Sequence, residues 1–345
     1  MPPLFRREEE IMEFHDPRND WKTIAQKTEV RFCPLTGRTS RLVPSVPFRA
    51  QSPDYRSAAE QTKAVGCPFC PENVERLTPK FLATVHPEGR MRLGEAVLLP
   101  NLFPYGQHTA VVSLTAQHYV AMNELKHEIL RDGFQLAVQF LHTVRQVDPA
   151  SNYVSVNWNY MPIAGASIIH PHVQALATPH PSNYQRETWA GAEGFVKENG
   201  ISYYDWLIRE ERKRDERWIA ENDAVAWVHA FAPLGQVDIL GIIKGADDLS
   251  RLTPEKIEQL GRDLTLIFAY LHQQGFGGFN LGLFIPVDSP PGMQAHVRII
   301  GRTSLGIVGT SEYNYVNALH QEPICFNRPE ETAQEIKKWF ETQGN

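Results

Sequence analysis

The sequence predicts an α+β protein built as two related halves. Three observations carry this: short strand-like apolar runs, two long stretches with apolar residues at helical spacing, and the same order of these elements in both halves. The chain of 345 residues, 42% of them hydrophobic, is long enough for one large core or two smaller ones. The first 30 residues and the stretch Gln51 to Val65 are polar and read as loop-rich. Between Phe81 and Leu114 the runs "EAVLLPNLFP" and "HTAVVSL" read as strands. From Met122 to Val147, Leu125, Ile129, Leu130, Phe134, Leu136, Ala137, Phe140 and Leu141 recur near helical spacing. A strand-like "YVSVNWN", a glycine turn at Gly165 and the segment "HPHVQ" follow. The order then repeats: "AVAWVHAF" and "VDILGIIKG", the helical "TPEKIEQLGRDLTLIFAYLHQQ", then "FNLGLFIP" and "AHVRIIGR". The expected organisation is a catalytic half over residues 1–190, a charged, partly helical linker over 191–224 with a solvated face, and a second half over 225–345 ending in a helix.

Composition narrows the function. A formal net charge of −6 argues against nucleic-acid binding, which rewards a broad basic surface. No apolar run reaches the roughly 18 residues of a membrane span, and the start is charged where a signal peptide is apolar. The expectation is a cytoplasmic protein. Cys33, Cys67, Cys70 and Cys325 are too scattered for a disulfide framework; in a reducing compartment the close pair Cys67 and Cys70 points to metal or redox work.

The two imidazoles of His170 and His172 flank Pro171. In an extended segment residues two apart share a face, so both aim into one place, and a proline that lacks a ladder donor suggests an edge or bulge. His180, in "TPHPSNY", has the surroundings of a surface turn. A neutral imidazole beside phosphate-binding groups can attack phosphorus and divide one displacement into two. The other histidine can ligate metal: Cys67, Cys70, His118 and His170 would make a closed Cys2His2 zinc site of the structural kind. A thioredoxin-like redox pair and a buried unligated pair remain as alternatives, although no apolar helix of the redox type follows "CPFC".

These residues resemble galactose-1-phosphate uridylyltransferase and its relatives in the histidine-triad superfamily, whose transferase branch carries His-Pro-His-x-Gln. "RFCPLTGRTSRLVPSVPFR" is similar to the family's opening, which ends in a phosphate-contacting arginine, here Arg49. "CPFC" stands at the family's zinc CxxC and His118 at its third ligand, while Asn101 and Phe103 match an Asn-x-Phe that holds the nucleoside. Asn159 and Ser167 stand at the family's spacing before His170 for two phosphate-side contacts, and Gln174 at the residue that bonds the transferred phosphate. The resemblance implies two histidine-triad halves, each an antiparallel sheet with flanking helices, the second without its nucleophile. It implies a zinc cofactor. It also implies that His172 attacks the α-phosphorus of a nucleoside diphosphate sugar, with Arg49, Ser167 and Gln174 steadying the non-bridging oxygens. The partners would then be a nucleotide sugar and a sugar phosphate, with no nucleic acid and no membrane; a homodimer is left open.

The second half departs from the best-known members. Only His296 has a counterpart among their three late histidines; Gln294 stands where another would be, and Glu187 is a match for their carboxylate, so no second metal is expected. The tail "GTSEYNYVNALHQEPI" does not reproduce the family's sugar-contacting pattern, which removes the support for galactose and leaves Glu312 and His320 as acceptor candidates. The leading expectation is a hexose-1-phosphate nucleotidylyltransferase. The alternative is a phosphorylase of a nucleotide sugar or dinucleoside polyphosphate, with inorganic phosphate as acceptor. A small histidine-triad hydrolase would carry a third histidine where this chain has Gln174, and a non-catalytic nucleotide sensor would leave His172 unmodified.

Overall fold

The computed structural model describes residues 5–46, 48–306 and 308–344. The chain opens with a ribbon of two antiparallel strands, β1 (Arg7–Asp16) and β2 (Lys22–Phe32), where a loop-rich start was expected. The reason is its exposure: nearly all of β1 faces solvent, so the ribbon carries no buried alternation to read. Strand β3 (Thr39–Leu42) extends this small sheet. Helices α1 (Arg56–Gly66) and α2 (Pro71–Leu77) follow, α1 burying only Ala59, which is why its stretch also reads as loop.

The first half then contributes β4 (Met91–Leu93), β5 (Ala96–Pro100), β6 (His108–Ser113), α3 (His127–Val147), β7 (Tyr153–Tyr160) and β8 (His172–Thr178). Two helices lie between the halves, α4 (Asn183–Asn199) and α5 (Tyr203–Arg214). The second half supplies β9 (Trp218–Glu221), β10 (Val225–His229), β11 (Asp238–Ile243), α6 (Pro254–Gln273), β12 (Gly278–Ile285) and β13 (His296–Arg302). Short strands β14 (Ser304–Leu305), β15 (Thr310–Ser311) and β16 (Ile324–Cys325) precede α7 (Pro329–Gln343), and β16 joins the small sheet parallel to β3.

The two halves share one antiparallel sheet in the order β4-β5-β6-β8-β7-β12-β13-β11-β10-β9. That order is palindromic in role: β5-β6-β8-β7 meets β12-β13-β11-β10, and the halves join where β7 pairs with β12. Each half therefore repeats strand, strand, helix, strand, strand. Helices α3 and α6 cover one face, and alternate strand residues such as Val156, Val173, Ala175, Leu281 and Val297 fill the core beneath them. Gly261 permits their close approach, since a Cβ there would lie 3.2 Å from the His127 carbonyl oxygen. Thr253 caps α6 and Pro254 opens it, as the sequence "TPEK" suggests. Among the described residues no helix is long and apolar enough to cross a membrane.

The linker is not a solvated helix face. Tyr203, Tyr204, Trp206, Leu207 and Ile208 of α5 pack with Phe195 of α4 against Val228, Leu240 and Ile242, covering the second half's other sheet face. Arg209, Arg212, Lys213 and Arg214 lie on the outer side while Glu211 and Arg217 pair with each other inside, so composition alone understates its burial.

A buried ion network ties the ends of the chain together. Glu330 in the first turn of α7 accepts from Arg31 Nη1 and Nη2 at 2.8 and 3.0 Å and from Arg217 Nη1 at 2.7 Å. Both guanidinium groups are buried. Burial alone would raise the Glu330 carboxyl, but hydrogen bonds and charge from Arg31, then Arg217, bring it down to about 2. Glu330→Gln is expected to cost roughly 3 kcal/mol, because it leaves two buried cations short of a partner. A carboxyl with a depressed folded pKa stabilises above its unfolded value of about 4.5 and loses that contribution as pH falls toward about 2. The gap in urea midpoint between the native protein and Glu330→Gln should be full at pH 6 and shrink steadily below about 4.5. A gap that persists unchanged at pH 3 would contradict this account.

Candidate functional site

The sheet face away from α3 and α6 carries the candidate residues. Along β8, Val173, Ala175 and Ala177 enter the core, which turns His172 and Gln174 to the opposite face. On β7 the same alternation puts Asn157 and Asn159 there, with Asn157 paired in register with Gln174. Strand β8 is interior, between β6 and β7, not an edge. Pro171 falls just before the first ladder residue, so its missing donor costs nothing, and its carbonyl accepts from Leu114 N at 2.9 Å.

The protonation pattern of His172 follows from one bond. Its Nδ1 lies 2.8 Å from the His170 carbonyl oxygen, which can only accept, so Nδ1 carries the hydrogen. Burial lowers the imidazole's pKa and keeps the ring neutral. The lone pair then sits on Nε2. Phe69, from the loop between α1 and α2, packs on this ring with centroids 5.3 Å apart.

Cys67, Cys70, His118 and His170 converge, with their donor atoms all within 4.8 Å of one another. Cys67 ends α1, and Pro71 starts α2 directly after Cys70, so the two thiols sit on one tight turn. His118 Nδ1 lies 3.4 Å from Cys70 Sγ, and His170 Nδ1 lies 3.7 and 3.8 Å from Cys67 and Cys70 Sγ. Tetrahedral bonds to sulfur and nitrogen at zinc distances would set such pairs about 3.5 Å apart. Each imidazole is also held from behind. His170 Nε2 donates to the Thr115 carbonyl at 2.7 Å, and His118 Nε2 lies 3.0 Å from Thr62 Oγ1, whose own hydrogen goes to the Ala58 carbonyl. Both rings therefore present the Nδ1 lone pair to the thiols, the arrangement a metal requires. Burial, then the neighbouring Cys67, pushes the Cys70 thiol up to about 12, so two thiolates here need a cation between them. The four residues can hold a metal ion.

The pseudo-equivalent position in the second half still carries an imidazole. His296 opens β13 as His172 opens β8, and its Nδ1 bonds the Gln294 carbonyl at 3.0 Å as His172 bonds that of His170. Its Nε2, however, is taken by the Tyr184 hydroxyl at 3.0 Å, and Tyr204 stacks on the ring at 5.1 Å. Gln294, in the place of the ligand His170, donates to Asp205 at 2.8 Å. The helices between the halves thus fill the second site. Burial pulls the His296 pKa down to about 4. Glu187 pairs with Arg38.

The remaining candidates are spread more widely. Ser167 is exposed and lines a cavity of about 330 Å³ with Cys67, Pro68 and His118. Asn101 continues the β5 ladder, its N–H donating to the Thr109 carbonyl at 3.0 Å, while Phe103 is exposed beside it. Arg49 is exposed and lines a cavity of about 250 Å³ with Tyr270, Gln274, Glu331 and Glu335. His320 is exposed, and His180 is exposed as expected. Glu312 is ion-paired with Arg302 in a cavity of about 200 Å³ that also includes Asn280, Tyr313 and Asn317, and its Oε2 is buried without a partner. Sequence reasoning missed Phe69, Asn280 and Arg302. Phe69 lies inside the quoted CxxC, and Asn280 is the one amide in the apolar run "FNLGLFIP".

Comparisons with known proteins agree with this architecture. No family model matches the chain. An uncharacterized protein of Archaeoglobus fulgidus is 32% identical over 317 residues, 91% of this chain and 93% of that one. A GalT-like protein of Arabidopsis thaliana superposes with a TM-score of 0.68 at 19% identity, over 91% of this chain and 99% of that one. An ADP-glucose phosphorylase from Arabidopsis thaliana, solved with bound ADP-glucose, gives 0.69 at 19% identity, over 90% and 99%. A uridylyltransferase gives 0.66 at 18% identity, over 92% and 99%. The chain belongs to one family with the Archaeoglobus protein, and it shares its fold with the GalT-like protein, the ADP-glucose phosphorylase and the uridylyltransferase.

Proposed function

We propose that the protein moves a nucleoside monophosphate from a nucleoside diphosphate sugar to a sugar 1-phosphate through a covalent intermediate on His172. The observation that carries this reading is the neutral imidazole whose Nδ1–H is committed to the His170 carbonyl, which leaves Nε2 as nucleophile on the sheet face beside Gln174. The Nε2 lone pair forms a bond to the α-phosphorus. The bond from that phosphorus to the bridging oxygen breaks, and the sugar 1-phosphate departs with the electron pair. In the second step an acceptor phosphate oxygen attacks the same phosphorus, and the P–N bond returns its electrons to Nε2. The amide of Gln174 and the hydroxyl of Ser167 donate to the non-bridging oxygens, Asn159 adds a phosphate-side contact, and Asn101 and Phe103 hold the nucleoside. Arg49, in the cavity with Gln274, Glu331 and Glu335, is the remaining proposed phosphate contact. A zinc ion held by Cys67, Cys70, His118 and His170 would serve as a closed structural cross-link. The halves divide near residues 190 and 225, the first holding the chemistry.

The acceptor reading rests on Glu312. The cavity it lines with Asn280, Tyr313 and Asn317 offers hydrogen-bonding side chains for sugar hydroxyls, and the Arg302 guanidinium there is already paired with Glu312, which favours a sugar 1-phosphate over inorganic phosphate alone. The test is to incubate the protein with labelled adenosine and uridine diphosphate sugars, isolate the labelled protein, and discharge it with hexose 1-phosphates or with inorganic phosphate. At least one hexose 1-phosphate should discharge it faster than equal phosphate, and Glu312→Ala should slow that discharge about tenfold while leaving labelling near normal. Fastest discharge by inorganic phosphate, with no sugar phosphate competing, identifies the protein as a phosphorylase.

A further inference from the structure

The first half's candidate site is braced by side chains from the second. Asn280 of β12 faces Asn159 of β7 across the seam between the halves. Its Nδ2 lies 2.7 Å from Asn159 Oδ1 and 2.8 Å from the Ala164 carbonyl oxygen, while its Oδ1 receives Arg302 Nη1 at 2.7 Å. Arg302 Nε in turn pairs with Glu312.

The chemistry of the donors sets every orientation in this chain. A guanidinium can only donate, so the oxygen of the Asn280 amide must face Arg302; its NH2 must then face the seam. A carbonyl of Ala164 at the same NH2 agrees with that assignment. Asn159 is consequently held with its oxygen toward Asn280, and its own NH2 is left for the open face that carries His172 and Gln174. An unheld amide would present its oxygen to an incoming phosphate about as readily as its nitrogen, and an oxygen there repels the anion.

We propose that Arg302 and Asn280 are positioning residues that orient the Asn159 amide as a donor to the transferred phosphate. The proposal rests on the nucleotidyl-transfer reading above and adds the residues that prepare its phosphate side. It also gives the second half a role in the first half's chemistry, since both relay residues come from β12 and β13. Arg302 reaches Glu312 at the same time, so the phosphate side and the cavity at Glu312 share one cation.

The experiment compares the rate of His172 labelling in five variants, Asn159→Ala among them, with melting temperature recorded for each. Arg302→Met removes the group that orients Asn280 and should slow labelling about tenfold, a loss in rate more than in donor KM. Arg302→Lys still can only donate and should recover most of the rate. Asn280→Asp keeps an acceptor for Arg302 but has no N–H for Asn159, and should be as slow as Arg302→Met. The double variant Asn159→Ala with Arg302→Met should label no more slowly than Asn159→Ala alone, because both changes remove one contact. Normal labelling of Arg302→Met, or a double variant whose losses multiply, overturns the proposal. Should the native protein take no label from any nucleotide sugar, the transfer reading fails by itself. The relay is then judged by calorimetry with AMP and UMP: binding weakened by Arg302→Met only while Asn159 is present supports it, and unchanged binding overturns it.

Discussion

Replacing His172 with Asn is expected to abolish covalent labelling, by roughly 10³-fold or more, while leaving the protein folded and able to bind a nucleotide sugar. The size of the effect follows from the site's construction. Among the imidazoles on this sheet face, His172 keeps its Nε2 lone pair uncommitted, whereas His296 gives the same atom to Tyr184. The matching variant His296→Asn should therefore leave labelling near the native rate. Asn at position 172 retains an amide N–H for the His170 carbonyl, so lost labelling cannot be ascribed to a lost tether. Labelling at the native rate in His172→Asn, or its disappearance in a folded His296→Asn, would mean that the wrong imidazole has been assigned. Intact labelled protein should also release its nucleotide in acid and hold it in base, as a phosphoramidate does, which separates it from an ester on Ser167.

Removing the metal is expected to have the second largest effect. The purified protein should contain one equivalent of zinc, and Cys70→Ala or a strong chelator should lower the melting temperature by about 10 °C. Three segments distant in sequence meet at the cluster: the turn between α1 and α2, the loop after β6 and the loop before β8. Losing the cross-link frees His170, whose carbonyl orients His172, so labelling should fall with zinc content in a chelator titration. One equivalent is expected in place of two, because both nitrogens of His296 are hydrogen-bonded and Glu187 is engaged by Arg38. Full zinc content and unchanged melting in Cys70→Ala would refute the assignment; two equivalents would point to a site outside this cluster.

Much of this protein was legible because its signals are local. The apolar runs became β5 to β8 and β10 to β13, and the two helical stretches became α3 and α6, since alternation and helical spacing are imposed by the backbone wherever one face is buried. The His-Pro-His segment and the CxxC pair announced themselves by residue type, and the four candidate ligands do converge. Where no face is buried the pattern vanished. The β1–β2 ribbon and α1 looked like loops because solvent surrounds them, and α5 looked solvated because its charges hide a buried stripe of tyrosines and leucine.

What the sequence determined by itself was the set of reactive groups and their order: two imidazoles flanking a proline, a close pair of thiols, and a repeated order of strands and helix. What only the tertiary structure decided was which atoms are free to act. The single sheet through β7 and β12, the closing of His296 by Tyr184, and the run from Glu312 through Arg302 and Asn280 to Asn159 all join residues far apart in the chain. Hydrogen-bond direction depends on which partner stands opposite, and no spacing along the chain encodes that; it is set when strands pair and helices pack.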